Sequence, residues 1–402
     1  MTMTIHPPVT DEQKQQWLLT AFDHDRERHA RRHATLDQQR SHNLVATGAA
    51  PSPLEARPRA MPERLQTPRV MSRYLGVPPL AINLDQFVEL LGTRGLLVWQ
   101  GGSVAYEQYF KGHGADVRWM TNSASKPVVA MLVACAQARC DLGPNETPIA
   151  TYWPELKGTA WEPVTIGQCL SMTTGIDFVE ESLDLEGGEA HYAELFTEVA
   201  FGSIDRFIAK LGRRAPAGTE VVYSSIDTEA LGGTLIRATG KSIAQLLEEY
   251  IWVPAGMETP AYWLTDTIGR EMALAGLCAT LRDYTRLGLI MLHEGRWNGK
   301  QIVPAELIHT FSQPDPALFG MPGHDDYPLV PLNQTFVPNN LADQRGDFMA
   351  AGSWGQIIYV DPRHGTVIAH QGVCADITTE YIELTRAFFA FRQISESLAQ
   401  VT

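Results

Sequence analysis

Nine consecutive residues, Val128 to Ala136 (VVAMLVACA), are apolar on every face of a helix. A surface helix carries an apolar stripe and a polar back, whereas a helix apolar all round has to be buried. This one predicts a core deep enough to wrap it, which 402 residues can build as one large or two moderate domains. Pro127 stands at its head, where the first turn of a helix loses nothing by a missing N–H. Just before it come Ser123 and Lys126, three apart and therefore on one helical face. At neutral pH a hydroxyl is too weak an acid, and a Lys amine too fully protonated, to react. Burial loosens the amine's hold on its proton, and a neutral amine can take the proton of the hydroxyl. Ser and Lys are common at this spacing, so the pair alone reads as a solvated first helical turn.

The elements around this helix are legible from pattern. Leu96 to Gln100, Gly101-Gly102 and Ser103 to Phe110 read as strand, tight turn, strand. Gly355 to Val360 and Thr366 to His370 read as strands, and Glu380 to Leu398 as a closing helix. Between these ends the pattern is mostly helical, with pieces at Ile243 to Tyr250 and Leu281 to His293. Ahead of them, residues 10–40 read as helix. Trp17, Leu18, Ala21 and Phe22 form one apolar patch, and HDRERHARRH follows, charged all round. His29 and His33 sit four apart but lack an acidic or Cys partner, so this stretch predicts a solvated helix and no metal site. Residues 46–69, rich in Pro and Ala, read as an extended linker or wrapping arm.

Two further fragments bear on chemistry. Tyr223, Ser224 and Ser225 follow a Pro-Ala-Gly-Thr loop at 216–219, and His370-Gln371-Gly372 end the apolar strand TVIAHQG. Taken singly, Tyr223 reads as a core tyrosine and His370 as a satisfied strand-end histidine. In the order Ser-x-x-Lys, Tyr-x-Ser, His-x-Gly, they resemble the serine hydrolases of the class C β-lactamase and DD-peptidase superfamily. CLSMTTGI from Cys169, GLCATLRDYTRLGLIML from Gly276 and AGSWGQIIYVDP from Ala351 extend the resemblance over about Leu96 to Leu398.

The resemblance implies a β-lactamase-like fold, of the α+β type within the α/β class. This is an antiparallel sheet flanked by helices, plus an inserted all-helical lobe, with the active site in the cleft. Residues 1–70 would be an N-terminal helix and Pro-rich arm. Residues 71–126 and 346–402 would form the sheet domain, and 127–345 a mostly helical domain. Carried over by motif, Ser123 is the nucleophile, Lys126 accepts or relays its proton, and Tyr223 is the second base and later the acid for the leaving amine. Ser225 stands where many members carry Asn and would bond Lys126. His370 stands at the Lys position of a Lys-Thr-Gly motif and would hold a substrate carboxylate. Gly372 would let the strand backbone approach the substrate. The N–H groups of Ser123 and Val373 would form the oxyanion hole, such donors being worth ~3 kcal/mol each. No metal or organic cofactor is implied.

The formal net charge of −14 argues against a nucleic-acid-binding surface and an anionic membrane face. No stretch approaches the apolar length of a membrane span. The five cysteines are scattered among apolar neighbours and read as buried thiols. The N-terminal residues lack the apolar core of a secretory signal, which predicts a soluble, cytoplasmic protein. There is no Gly-x-Ser-x-Gly elbow and no His-Glu-x-x-His. The expected partner is a small linear peptide or amide, with a homodimer allowed. The resulting expectation is a serine hydrolase that cleaves an amide or peptide bond of a short linear peptide through an acyl-enzyme. The first candidate substrate is linearised microcystin, because a His-x-Gly motif suits peptides and the N-terminal extension suits a dedicated enzyme. The alternatives are an esterase, a 6-aminohexanoate-oligomer amide hydrolase, and a penicillin-binding sensor that acylates without turnover.

Overall fold

The computed structural model of the chain describes residues 25–66, 80–178, 180, 191–313, 315–319, 321, 328–339, 344–374 and 380–400. In chain order, the elements that position the site begin with α1 (Arg26–His33), β1 (His42–Val45), β2 (Thr93–Gln100), β3 (Ser103–Tyr109), β4 (Trp119–Met120) and α2 (Lys126–Ala138). The middle supplies α3 (Ser225–Thr239), β5 (Ala261–Leu264), β6 (Leu277–Ala279), α4 (Leu281–Leu292), β7 (Leu329–Leu332) and β8 (Thr335–Pro338). The chain closes with β9 (Phe348–Gly352), β10 (Gln356–Asp361), β11 (Thr366–Gly372) and α5 (Glu380–Ala399). A seven-stranded sheet runs in the order β7-β8-β9-β10-β11-β2-β3, and every neighbouring pair is antiparallel. The fold is β-lactamase-like, an antiparallel sheet with flanking helices and a helical lobe.

Successive strand residues point to opposite faces of a sheet. Leu97 and Trp99, Phe348 and Ala350, Ile358 and Val360, and Val367 and Ala369 all join the core shared with α2, α3 and α4. Leu96 and Val98, Met349 and Ala351, Ile357 and Tyr359, and Ile368 join a second core under α5. α5 presents Phe388, Phe391, Ile394 and Leu398 to that face. Each such side chain contributes roughly 1.5–3 kcal/mol on burial. The two faces are thus chemically separate compartments, and a side chain's parity along its strand decides which one it enters.

A second sheet, β1-β5-β6-β4, carries the chain into α2. Its strands β5 and β6, together with β7 and β8, come from the stretch that reads as mostly helical in sequence. Runs of three or four residues are too short for a period of two to show. α2 is buried from Lys126 through Ala136, as its all-apolar run requires.

Trp17, Leu18, Ala21 and Phe22 lie outside the described residues. The charged run at residues 26–33 is helical but not a solvated helix. His29 and His33 are each only 5% exposed. Their rings lie 4.2 Å apart, with His29 4.1 Å from Trp354 and His33 5.2 Å from Trp119. The buried stripe of this helix is built from His29, Ala30 and His33, which a count of aliphatic residues misses. Farther on, the arm runs beside β3, where the Arg57 N–H donates to Val104 O and the Arg59 N–H to Ala105 O. It thereby covers a sheet edge that would otherwise offer unpaired backbone groups. Among the described residues no helix is long and apolar enough to cross a membrane, and no group of three His, Cys, Asp or Glu could hold a metal ion.

Candidate active site

β4 ends at Met120, and the chain passes through Thr121 into a 3-10 turn, Asn122–Ser125, continuous with α2. Thr121 is fixed to β6, its N–H and Oγ1 reaching Leu277 O at 2.8 and 3.0 Å. Asn122 has φ +47°, a conformation that Asn tolerates better than most residues. Its Nδ2 donates to the carbonyl of Ser353 at 2.7 Å. Ser123 therefore stands at a clamped strand-to-helix corner. Ser125 is wholly buried, donates to Asn122 O at 2.7 Å and shares a 2.8 Å hydrogen bond with Thr121 Oγ1. It braces the corner and does not open onto the cleft.

Lys126 is 1% exposed, and its Nζ lies 2.7 Å from Ser123 Oγ and 3.4 Å from Leu274 O. Burial pulls its pKa down to about 8, against the opposing fields of Glu180 and Glu229. A buried amine with this pKa is neutral often enough at neutral pH to accept the serine proton. Tyr223 precedes α3 in an extended segment held by the Val222 N–H, which donates to Met172 O. The Tyr223 ring lies 4.8 Å from Lys126 Nζ and 5.5 Å from the Phe336 ring. The structure thus brings Ser123, Lys126 and Tyr223 together.

Ser225 is the first residue of α3. Its N–H donates to the Glu180 carboxylate at 2.5 Å, while its buried Oγ has no hydrogen-bond partner. The expected bond from this hydroxyl to Lys126 is therefore not made. Two acidic residues follow in the same helix. Asp227 accepts from Thr174 Oγ1 and Ser224 Oγ, and burial raises its pKa to about 8. Glu229 is ion-paired with Arg270 and accepts the N–H of Leu274, the residue whose carbonyl touches Lys126.

The third motif falls elsewhere than its sequence position implies. His370 lies on β11 with the parity of Ile368, so its ring enters the α5 face, 6.2 Å from Phe391, whereas Ser123 stands on the opposite face. It is fully buried, with Nδ1 2.6 Å from Gly355 O and Nε2 2.8 Å from Thr93 Oγ1, and burial pushes its pKa down to about 4. A neutral, enclosed imidazole cannot hold a substrate carboxylate. The Gly372 N–H and C=O are taken by the Gln356 amide, and a Cβ there would fall 2.6 Å from the His370 ring. Its lack of a side chain serves that packing and not substrate approach. The Val373 N–H donates to Gly92 O at 3.0 Å, so it is not an oxyanion donor.

The strand that does reach Ser123 is β9, two places from β11 in the sheet. Gly352 ends it. A Cβ there would lie 2.4 Å from Thr121 O, 2.8 Å from the Ser123 nitrogen and 2.9 Å from the Ala124 nitrogen. The turn after it, Ser353-Trp354-Gly355, carries the Ser353 carbonyl that Asn122 grips. The residues that the motif reading misses are thus Asn122, Gly352, Ser353 and Glu180. AGSWG at 351–355 holds the visible signal for two of them, a Gly-Ser step at a strand end.

Three comparisons bear on this arrangement. The family model described as Beta-lactamase matches residues 83–370. The 6-aminohexanoate-dimer hydrolase of Paenarthrobacter ureafaciens is 26% identical over 310 residues, which is 74% of this chain and 77% of that protein. A Bacillus anthracis protein provisionally named a 6-aminohexanoate-dimer hydrolase superposes with a TM-score of 0.81 at 24% identity, covering 98% of this chain and 99% of its own. EstCE1, a hydrolase with promiscuous acyltransferase activity, superposes with a TM-score of 0.56 at 17% identity, covering 76% and 96%. The two structural likenesses speak to the fold.

Proposed function

Because the chain belongs to the Beta-lactamase family and is a serine hydrolase, we propose that it hydrolyses a short linear amide through an acyl-enzyme on Ser123. The observation that carries this reading is the buried Lys126 amine, 2.7 Å from Ser123 Oγ with its pKa drawn down to about 8. The neutral amine takes the proton as Ser123 Oγ attacks the amide carbon. The carbonyl oxygen becomes an oxyanion and accepts the N–H groups of Ser123 and Ser353, which Gly352 and Asn122 hold beside each other. Tyr223, next to Lys126, passes the proton to the leaving nitrogen, and the C–N bond breaks. Water then attacks the ester carbon, its proton returning through the same pair, and Ser123 is released.

The substrate class draws on the relatives. The 6-aminohexanoate-dimer hydrolase of P. ureafaciens spans most of this chain, so a linear amide of that type takes first place. Linearised microcystin, the first expectation from sequence, gains no support from these relatives and becomes one member of the test panel. The cytoplasm remains the proposed place of action, in keeping with five cysteines that carry no disulfide. The test measures kcat/KM for the 6-aminohexanoate dimer, linearised microcystin, D-amino-acid amides, short-chain esters and a chromogenic cephalosporin, with intact-mass detection of the acyl-enzyme. Linear amides should lead the cephalosporin by more than tenfold, a gap of ~1.4 kcal/mol in the transition state. A cephalosporin faster than every amide overturns the amide reading. An ester faster than every amide favours the esterase. A single burst without turnover favours the sensor.

A further inference from the structure

The turn Ser353-Trp354-Gly355 is an awkward piece of backbone. Trp354 has φ +68° and Gly355 φ +85°, both in the left-handed region. For a tryptophan this conformation costs of order 1–3 kcal/mol and persists only where the surroundings impose it. Four groups do so. Asn122 Nδ2 and Gln356 Nε2 donate to Ser353 O at 2.7 and 3.2 Å. The Cys374 N–H donates to Trp354 O at 3.2 Å, and the His29 ring lies 4.1 Å from the Trp354 ring. The shortest hold is the 2.6 Å bond between His370 Nδ1 and Gly355 O.

We propose that His370 is a positioning residue for the reaction, holding the Gly355 carbonyl from behind the sheet so that the preceding Ser353 N–H stays aimed at the oxyanion. The inference rests on the reading of Ser353 given above. Its chemistry follows from the partners. A carbonyl only accepts, so Nδ1 carries the proton. Nε2 then holds a lone pair and accepts the Thr93 hydroxyl at 2.8 Å. One tautomer satisfies both nitrogens, and complete burial keeps the ring neutral. The ring is thus a spacer of fixed length from β2, through β11, to the turn that ends β9. It acts on the reacting atoms without touching them.

A histidine that merely fills the core would give the same burial, so the test separates the two roles. Asn places its amide N–H₂ near the position of Nδ1, whereas Gln places its own near Nε2. The variants His370→Asn, His370→Gln and His370→Phe are compared for kcat, KM, thermal midpoint and inhibition by phenylboronic acid, whose tetrahedral adduct on Ser123 mimics the oxyanion. We expect H370Q and H370F to lose at least tenfold in kcat with KM within threefold. Boronate affinity should fall in parallel, and H370N should recover most of the loss. Equal losses in H370N and H370Q that track the thermal midpoint overturn the proposal, as does an unchanged kcat in folded H370F. If the His370 variants do not fold, Thr93→Val removes the hydroxyl that fixes the tautomer at nearly constant volume. A three- to tenfold fall in kcat then supports the role, and an unchanged kcat overturns it. Labelling of the parent protein by a fluorophosphonate is the control. Absence of the label on Ser123 defeats the reading of the site itself, and a label on Ser123 with indifferent His370 variants defeats only this inference.

Discussion

Replacing Gly352 by Ala adds one carbon at the point where the sheet meets the Ser123 corner. The new Cβ would sit 2.4 Å from Thr121 O, 2.8 Å from the Ser123 nitrogen and 2.9 Å from the Ala124 nitrogen. All three are backbone atoms, and carbon needs about 3.5 Å from such neighbours. No side chain can rotate away, so the Ser123 corner or the end of β9 has to move by about 1.1 Å to clear the shortest contact. Misplacement on this scale costs about 10²-fold in rate, comparable with the loss of one oxyanion donor. The acylation rate of Gly352→Ala should therefore fall on the order of 10²-fold, or ~2.7 kcal/mol. Overpacking should also destabilise the fold by ~1–3 kcal/mol, a drop of a few degrees in thermal midpoint. The assay is time-resolved intact-mass measurement of acylation at a temperature where parent and variant are both folded. Gly212→Ala is the control, since a Cβ there meets nothing within 4 Å. A folded Gly352→Ala protein that acylates within threefold of the parent would refute the placement of β9 against the nucleophile.

Ser123→Ala should abolish covalent labelling with little change in stability, whereas Ser125→Ala should keep the label and lose stability through its two buried hydrogen bonds; mass mapping of the labelled peptide decides. Because Lys126 must be neutral to act and titrates at about 8, kcat/KM should rise through about pH 8, and a profile flat from pH 6 to 9 contradicts its role as base. The same residue binds its proton up to ~10.4 when unfolded but only to about 8 when folded, so it makes the protein more stable as pH rises across that window. Asp227 works in the opposite sense: folded, it keeps its proton up to about 8, whereas unfolded it releases it near 4. Its contribution is lost as pH rises through that interval. Asp227→Asn should accordingly gain in thermal midpoint over the parent from pH 6 to 9, and a difference independent of pH would show that Asp227 does not titrate there.

The closeness of Ser123 to Lys126 is legible in the chain because it is local, a pair on one helical turn, and that of Tyr223 follows from the motif order. The buried α2 and the hairpin β2-β3 were legible for the same reason, each being specified by its own few residues. His370 was misassigned because its motif is right in composition and wrong in place. What it faces depends on strand parity and on the order in which distant strands pair, and neither is a property of three residues. Asn122 escaped because a positive φ leaves no trace in sequence, and Gly352 because its importance lies in the backbone of another segment. The run from Arg26 to His33 misled through its charge, since its buried face is made of imidazoles that stack on Trp119 and Trp354.

The pairing of β11 with β2 sets Gly372 opposite Thr93. Those residues leave the ribosome about 280 residues apart, which at ~5–20 residues per second is on the order of tens of seconds. Throughout that interval β2, buried on both faces in the finished molecule, has only β3 beside it. The loop that must close is long, though its entropic cost grows only with the logarithm of its length. The greater burden is kinetic: a bare apolar hairpin must wait for its central partner while the helical lobe takes shape. Assembly of the large sheet is therefore a late event, completed from the C-terminus. Because β9, β10 and β11 arrive together, the Ser123 corner meets the strand that completes it only when the chain is nearly whole.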